Sequence, residues 1–184
     1  MIVRIHRHLL PVLASLRQPR LHPDHGRRCT WILDGTLIPA HDQHRAAISK
    51  NYRRSINLQV VTRRCDRTII AAGAARPGNR NDIIAVRAQP ELLATPPRQI
   101  LADGAYQSLP GVTTPARGAG AKIIRDHTRQ LHRRHRATVE HVLARLKDWQ
   151  IMHQIRRRGT TIDHAISAVI AIYNHRIEHL RLNS

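Results

Sequence analysis

The chain has 184 residues, which fits one domain, and its core must be aliphatic because it has no Phe, two Trp and three Tyr. Lys and Arg number 31 against 12 Asp and Glu, and this formal charge of +19 suits a polyanionic partner such as DNA or RNA, although a GC-rich genome would also favour arginine. No apolar run reaches ~18 residues and no secretory leader opens the chain, so we expect a cytoplasmic protein without a membrane span.

Residues 1–29 form a separate N-terminal segment, apolar and basic at first and then polar, which looks like the remainder of something longer. His22, His25 and Cys29 have spacings compatible with zinc, but no fourth ligand follows at a recognisable spacing, so we expect no zinc there. Cys29 and Cys65 are too few for a disulfide framework, and reduced thiols are expected.

Three β-like runs follow, at residues 30–38, 55–62 and 68–73. A short polar turn joins the last two runs, and the lengths of the segments predict an antiparallel meander. The first run contains Asp34 directly before Gly35, a pattern typical of a strand that presents a carboxylate at its end.

Helical and strand patterns then alternate. Asp82 is placed to cap a short helix over 83–94, which Pro90 would break or bend. A buried strand at 98–103 ends at Asp103, and a second short strand follows at 111–114. A Gly-rich loop at 116–128 then leads to two longer helices, at 129–150 and 161–180. This order predicts an α/β layer fold.

Three carboxylates, Asp34, Asp103 and Glu140, are the candidate catalytic and metal-binding residues. The first two each follow an apolar run and precede a glycine, and the third lies in a helical pattern. Two strand-borne acids and one helix-borne acid can hold two divalent cations in one cleft for phosphoryl transfer. Mg²⁺ prefers carboxylate and water oxygens to imidazole, so the pattern favours nucleic-acid chemistry.

The helix that carries Glu140 also carries cations on the same face. At ~100° per residue, Arg133, Arg136, Glu140 and Lys147 fall within a sector of about 60°, beside an apolar sector that would pack on a sheet. A carboxylate for metal and cations for phosphate would then be presented together. The alternative is an ordinary amphipathic helix with a solvated pair between Arg136 and Glu140, four residues apart.

Six strings in order, "LDGTLIPA", "SINLQVV", "GNRND", "ILADGAYQ", "TPARG" and "RATVEHVLARLKDWQIM", resemble the DDE domain of bacterial insertion-sequence transposases. The resemblance covers roughly residues 30–175 and is to the group with a Y-R-E-K signature around its last acid. Arg136, Glu140 and Lys147 match that signature by spacing, whereas Arg133 stands where the family has Tyr.

This resemblance implies an RNase H-like α/β fold over residues 30–180, with a mixed central sheet flanked by helices. The sheet would begin as an antiparallel β-β-β meander and continue with parallel strands. Asp34, Asp103 and Glu140 match the acids that bind two Mg²⁺ ions in the family, with Mn²⁺ able to substitute. The implied partner is double-stranded DNA, at transposon ends and target. Because strand transfer needs two ends brought together, we expect a homodimer on the DNA.

The resemblance also implies a set of DNA-binding cations. Lys50 matches a basic residue between the first two strands, and Arg136 and Lys147 would grip phosphate near the scissile bond, with Arg133 beside them. Asp82 matches a recurring acid of the "GNRND" string, and we interpret it as a helix cap rather than a ligand.

The predicted activity is Mg²⁺-dependent strand cleavage, followed by attack of the freed 3′-hydroxyl on target DNA. One alternative is a truncated fragment that binds DNA without chemistry, because family members usually carry a further N-terminal segment that recognises the element's ends. A second alternative is a related metal-dependent nuclease that cleaves but does not join.

Overall fold

The computed structural model describes residues 8–9, 11–15, 29–50, 53–94, 99–116, 118 and 127–183. Its centre is a mixed sheet of seven strands: β1 Trp31–Pro39, β2 Ala47–Ile48, β3 Arg54–Arg63, β4 Ile69–Ala72, β5 Arg76–Pro77, β6 Ile100–Leu101 and β7 Val112–Thr113. The helices are α1 Asp82–Arg87, α2 His127–Lys147, α3 Gln150–His153 and α4 Thr161–Leu182, with 3₁₀ helices at Pro90–Leu93 and Gly104–Tyr106. None of these helices is both long and apolar enough to cross a bilayer.

The sheet has the strand order β2-β3-β1-β6-β7, and β4 and β5 also pair with β3. Strands β1 and β3 are antiparallel along nine residue pairs, and β3 pairs antiparallel with β4 across a bulge. Strand β6 is parallel to β1, and β7 is parallel to β6, each over two residue pairs. The predicted meander and the later parallel strands are therefore confirmed.

Both faces of the sheet are covered, which explains why β3 is buried at nine of its ten residues although polar residues alternate with apolar ones along it. Ile32 and Ile38 of β1 point to the face covered by α2 and α4, where the larger core cluster lies. Trp31 and Leu33 point to the opposite face, where Val86 of α1 and Tyr106 complete a second cluster. Because side chains alternate along a strand, Asp34 lies on the α2 face and its neighbour Gly35 on the α1 face.

Several predicted boundaries differ from the structure. Helix α2 begins at His127 and ends at Lys147, and the chain bends at Asp148 before α3 starts. The predicted break near Pro90 is confirmed, since α1 ends at Arg87 and Pro90 opens a 3₁₀ helix. The short strands β2 and β5 were not predicted, and both add to β3.

The prediction that Asp82 caps a helix is wrong. Asn81 occupies the N-cap position of α1 without a side-chain capping bond, and Asp82 is the first helical residue. The Asp82 carboxylate instead accepts hydrogen bonds from the side-chain amides of Asn57 and Gln59 on β3. Other predictions fall outside the described residues: most of the N-terminal segment with His22 and His25, and most of the loop at 116–128.

Candidate active site

Asp34 lies in the middle of the central strand β1 and not at a strand end as predicted, because β1 continues through Gly35 to Pro39 in its ladder with β3. Its side chain is nearly buried, at 14% exposed. Its Oδ1 accepts the Gly35 backbone N–H at 3.0 Å, and its Oδ2 lies 3.3 Å from Arg136 Nη2 on α2. Burial raises the pKa of the Asp34 carboxyl above its usual value, the Arg136 guanidinium and the Gly35 amide oppose that rise, and the charge of Asp103 adds to it. A positive charge at this carboxylate is therefore strongly favoured.

Asp103 lies beside Asp34 because of the parallel register between β6 and β1. Ile100 stands opposite Trp31 and Leu101 opposite Ile32, so continuing the register by two residues brings Asp103 level with Asp34. The Asp103 Oδ1 accepts the Ala105 backbone N–H at 2.8 Å and thereby caps the 3₁₀ helix Gly104–Tyr106. The two strand-borne acids are thus brought together at the end of β6.

The loop that follows Asp103 is tied to the centre of the sheet by Tyr106. This residue is 1% exposed, and its hydroxyl donates a hydrogen bond of 2.6 Å to Gln59 Oε1 on β3. Burial and the charges of Asp82, Asp34 and Asp103 raise the pKa of the Tyr106 hydroxyl, which keeps it protonated as a donor.

Glu140 is linked to Asp34 by their shared contact with Arg136. It lies on α2 with a side chain 62% exposed, and its Oε1 is 4.0 Å from the same Arg136 Nη2 that contacts Asp34. Arg136 therefore stands between the two carboxylates. Among the described residues, no group of three or more His, Cys, Asp or Glu side chains is close enough to hold a metal ion.

The chemistry of these donors nevertheless fits a hard divalent cation. Asp34 and Asp103 each use one oxygen to accept a backbone N–H, which fixes the carboxylates and leaves the second oxygens for other partners. The positive charge between Asp34 and Glu140 is supplied here by Arg136. A metal cation could compensate the charge of the buried Asp34 carboxylate in the same way as this guanidinium.

Helix α2 runs alongside β1 in the same direction. Arg136 contacts Asp34, and Lys147 lines a hollow of about 370 Å³ with Leu37 and Pro39. The span from Arg136 to Lys147 along a helix is ~16 Å, and that from Asp34 to Pro39 along a strand is also ~16 Å. The cations of α2 are consequently laid out beside β1 from the acids towards the end of the strand.

The remaining predicted DNA-binding residues are accessible to solvent. Arg133 is exposed one turn before Arg136, and Lys50 is exposed just after β2. Burial lowers the pKa of Lys147, and Arg53 lines the same hollow. In the part of the chain that the structure describes, no carboxylate lies within ion-pair distance of Lys50, Arg133 or Lys147. Their charges are therefore available to phosphate.

Comparison with known proteins gives a family for this arrangement. The model of the family described as "Transposase DDE domain" matches residues 25–175, which is most of the chain. The chain belongs to this family of transposase DDE domains. A protein of Streptomyces albus G named "Putative transposase for insertion sequence element IS112" is 35% identical over 175 residues, covering 93% of this chain and 66% of that protein. The chain thus spans just under two thirds of this relative, and no solved structure matches it.

This DDE domain contains a polar network on the α1 face that the sequence analysis missed. Asn57 Nδ2 and Gln59 Nε2 donate to Asp82 Oδ1 at 2.8 and 2.9 Å, and Gly35 lies directly against Gln59 and Asp82. A Cβ on Gly35 would come within 2.6 Å of Asp82 Oδ1 and closer still to Gln59 Nε2. Polar residues alternating with apolar ones in "SINLQVV" are the only sequence signal of this network.

His132 is the second residue near the acids that sequence reasoning missed. It lies one turn before Arg136 on α2, is 8% exposed, and its Nε2 is buried without a hydrogen-bond partner among the described residues. Burial lowers the pKa of His132 and so favours the neutral imidazole. The backbones of Thr113 and Ala102 and the charge of Asp103 oppose this effect, and the charge of Arg136 reinforces it. With 14 histidines in the sequence, nothing marked this one.

Proposed function

We propose that this chain carries the catalytic domain of an insertion-sequence transposase, with an RNase H-like fold, that cleaves DNA and joins the freed 3′ end to a target. The observation that carries this proposal is the placement of Asp34 and Asp103 side by side at the end of β6. The mixed sheet, the covering helix α2 and the family membership support the same function.

In this proposal Asp34, Asp103 and Glu140 hold two Mg²⁺ ions, with Mn²⁺ able to substitute. When bound, such ions activate the attacking oxygen and relieve charge on the entering and leaving oxygens. The backbone N–H groups of Gly35 and Ala105 orient the two aspartates. Arg136 would leave Asp34 and form a bidentate contact with a DNA phosphate, which opens the space between Asp34 and Glu140.

The proposed partner is double-stranded DNA, at the ends of the element and at the target. Lys50, Arg133, Arg136 and Lys147 would contact its phosphates, and the strongly positive chain would steer the encounter. Joining requires two ends in one complex, so a homodimer on DNA is part of the proposal. A substrate of this kind places the protein in the cytoplasm, at the nucleoid.

A second candidate is a DNA-binding module without chemistry. The position of Arg136 between Asp34 and Glu140 favours it, because this ion-paired arrangement is complete without any metal. Binding would then depend on the cations alone. The two candidates differ in whether loss of a carboxylate changes what happens to the DNA.

The decisive experiment is an assay of Mg²⁺-dependent cleavage and joining on the terminal sequences of the element. Asp34→Asn, Asp103→Asn and Glu140→Gln are each expected to abolish cleavage while leaving DNA binding nearly intact. Glu178→Gln is the matched control, because it removes a carboxylate from α4 outside the site. Cleavage by any of the three site variants contradicts the assignment, cleavage without joining indicates a nuclease, and binding without cleavage by the unaltered protein indicates the module.

The DNA-binding residues have a separate test in the salt dependence of affinity. Arg133→Gln and Lys147→Gln should each reduce the slope of log K against log salt by about 1, because each removes one phosphate contact. Arg87→Gln, on α1 across the sheet, removes the same charge and should leave the slope unchanged. Equal slopes for all three variants would count against this DNA surface.

A further inference from the structure

A second basic site lies on the other side of α2, in a cavity of about 500 Å³ between α2, α4 and the turn that joins β3 to β4. Its walls include Arg67 of the turn, Arg145 of α2 and Arg176 of α4, together with the rings of Trp149 and Tyr173. On a helix, Arg145 is turned by ~140° from Glu140. The cavity is therefore separate from the candidate catalytic carboxylates, and we refer to it as the arginine cavity.

The three arginines of this cavity lack acidic partners. Within the described residues, no carboxylate lies within ion-pair distance of Arg67, Arg145 or Arg176, whereas Arg45, Arg63 and Arg136 are all paired. Asp148 also lines the cavity, so three guanidinium groups and one carboxylate leave two net positive charges. Like charges gathered around one concave space disfavour the empty state and favour an anion.

Tyr173 shows how closely two of these cations are grouped. Burial raises the pKa of the Tyr173 hydroxyl to about 12; the charges of Arg67 and Arg145 both act against that rise, and the charge of Asp66 adds to it more weakly. The same hydroxyl donates a hydrogen bond of 3.1 Å to the Arg67 carbonyl oxygen. The turn and α4 are thereby fixed to each other, and the cavity has a defined wall.

The backbone of Arg67 gives an independent indication that its side chain is functional. Its φ is 63°, in the left-handed region that favours glycine and is uncommon for a long side chain. The position closes the hairpin, with the Arg67 N–H bonded to the Arg63 carbonyl at 2.9 Å. Glycine would fit this backbone conformation without strain, whereas the residue present places a guanidinium in the cavity wall.

We propose that the arginine cavity binds an unpaired nucleotide of a DNA strand, with its phosphate held by Arg67, Arg145 and Arg176 and its base against Trp149. The volume is within the range of small-molecule sites, and guanidinium groups match phosphate oxygens in charge and geometry. An indole offers a flat face to any base, and the Asp148 carboxylate can accept from a base amino group. A bare phosphate would leave both of these groups without a role.

The chain provides a spectroscopic reporter for this proposal because it has two tryptophans. Full-length protein labelled with 5-fluorotryptophan gives one ¹⁹F resonance for each, and Trp149→Phe assigns them. We expect a duplex with a three-nucleotide unpaired tail to shift the Trp149 resonance. Buried Trp31, on β1, serves as the internal control and should not respond.

Four ligands are titrated in EDTA to show which part of the DNA shifts the Trp149 resonance: the tailed duplex, a blunt duplex, a duplex whose tail lacks bases, and dAMP. A blunt duplex should leave Trp149 unchanged, and a tail of the same length without bases should bind about tenfold more weakly than the intact tail. The fourth ligand, dAMP, tests the free nucleotide. Binding of dAMP as tight as that of the tail, with the same arginine dependence, would support the nucleotide chemistry and identify a free nucleotide as the natural ligand.

Arg67→Gly is the sharpest variant, because it removes the guanidinium and gives the left-handed position its favoured residue. We expect its thermal stability to be retained and its affinity for the tailed duplex to fall about tenfold, as for Arg145→Gln and Arg176→Gln. Arg87→Gln is the charge-matched control across the sheet.

Asp34→Asn distinguishes this site from the proposed cleavage chemistry, since it should bind the tail unchanged even though cleavage is lost. The proposal is overturned if blunt and tailed duplexes affect Trp149 equally. It is also overturned if Arg67→Gly binds the tailed duplex as tightly as the unaltered chain. Neither result bears on whether Asp34, Asp103 and Glu140 cleave DNA.

Discussion

The two sides of helix α2 show one residue type in opposite electrostatic situations. On the acid side, Arg136 stands between Asp34 and Glu140 and neutralises a nearly buried carboxylate. On the other side, Arg145 shares the arginine cavity with Arg67 and has no acidic partner among the described residues. The ion pair of Arg136 persists until a metal cation competes for the Asp34 carboxylate or a phosphate competes for the guanidinium. The arginine cavity, in contrast, has no anion paired with its arginines among the described residues.

The difference also concerns how each side is built. The acid side rests on β1 and β3, which pair along nine residues and carry Gly35 and Gln59 in direct opposition. The arginine cavity draws its residues from a turn and from two helices that meet over it. Changes on the acid side should therefore affect stability and chemistry together, and changes in the cavity should affect binding alone.

The largest effect is expected when a methyl group is added beneath the acids. In Gly35→Ala, the new Cβ meets Asp82 Oδ1 at 2.6 Å and is also too close to Gln59, whose side chain is fully buried and has no room to withdraw. Overpacking of this kind typically lowers the free energy of unfolding by about 1–3 kcal/mol, and the loss of buried hydrogen bonds adds to that. Urea denaturation measures the change, and a loss below about 0.5 kcal/mol would show that this network yields easily.

A somewhat smaller effect should follow from Tyr106→Phe. The substitution leaves the buried Gln59 Oε1 without its donor, which should destabilise the protein by about 1–2 kcal/mol. Because this hydroxyl also anchors the loop after Asp103, cleavage should fall while duplex DNA binding is retained. Parallel denaturation and cleavage measurements test the role of this hydrogen bond. Unchanged cleavage would show that Asp103 is held in place by other contacts.

The matched pair Arg136→Gln and Arg145→Gln tests the comparison directly. Loss of Arg136 leaves the Asp34 carboxylate without its cation, and we expect destabilisation of about 1 kcal/mol at pH 7. Loss of Arg145 relieves repulsion between like charges and should leave the unfolding free energy unchanged within about 0.5 kcal/mol. Equal destabilisation by the two variants would abolish the distinction between the two sides of α2.

The smallest effect, and one of opposite sign, is expected for Asp34→Asn. The pKa of Asp34 is raised in the folded state, so stability falls as pH rises from 3.8 through that raised pKa and stays lower above it. The asparagine variant lacks this loss, and we expect it to be more stable than the unaltered protein at pH 7 by up to about 1 kcal/mol. Unfolding free energies from pH 3 to pH 8 should give a difference that grows with pH, and a constant difference would argue against a raised pKa.

The sequence was informative where structure depends on local pattern. The β-like runs predicted β1 and β3, and the acid after the run at 98–103 lies at the end of β6 as predicted, whereas Asp34 lies in the middle of β1 and not at its end. Spacing alone also predicted that Arg136 and Glu140 share a face of one helix, and their ion pair is the contact expected under the alternative of an ordinary amphipathic helix. These features need only the period of a strand or a helix.

Contacts between distant segments could not be predicted in the same way. Asp82 resembled a helix cap because its true partners, Asn57 and Gln59, are supplied by another strand. Helix α2 ends before Trp149 without a proline or glycine, and the partly buried Trp149 side chain packs against the core from there. The arginine cavity likewise exists only once a turn and two helices have met.

The brief pairing between β1 and β6 has a further consequence. Two residue pairs hold these strands together, compared with nine between β1 and β3, so hydrogen exchange should be far faster at the β6 amides. Separation of β6 and β7 from β1 would withdraw Asp103 from Asp34 while β1 and β3 stay paired. The acids can therefore be separated by a local fluctuation that needs much less free energy than global unfolding.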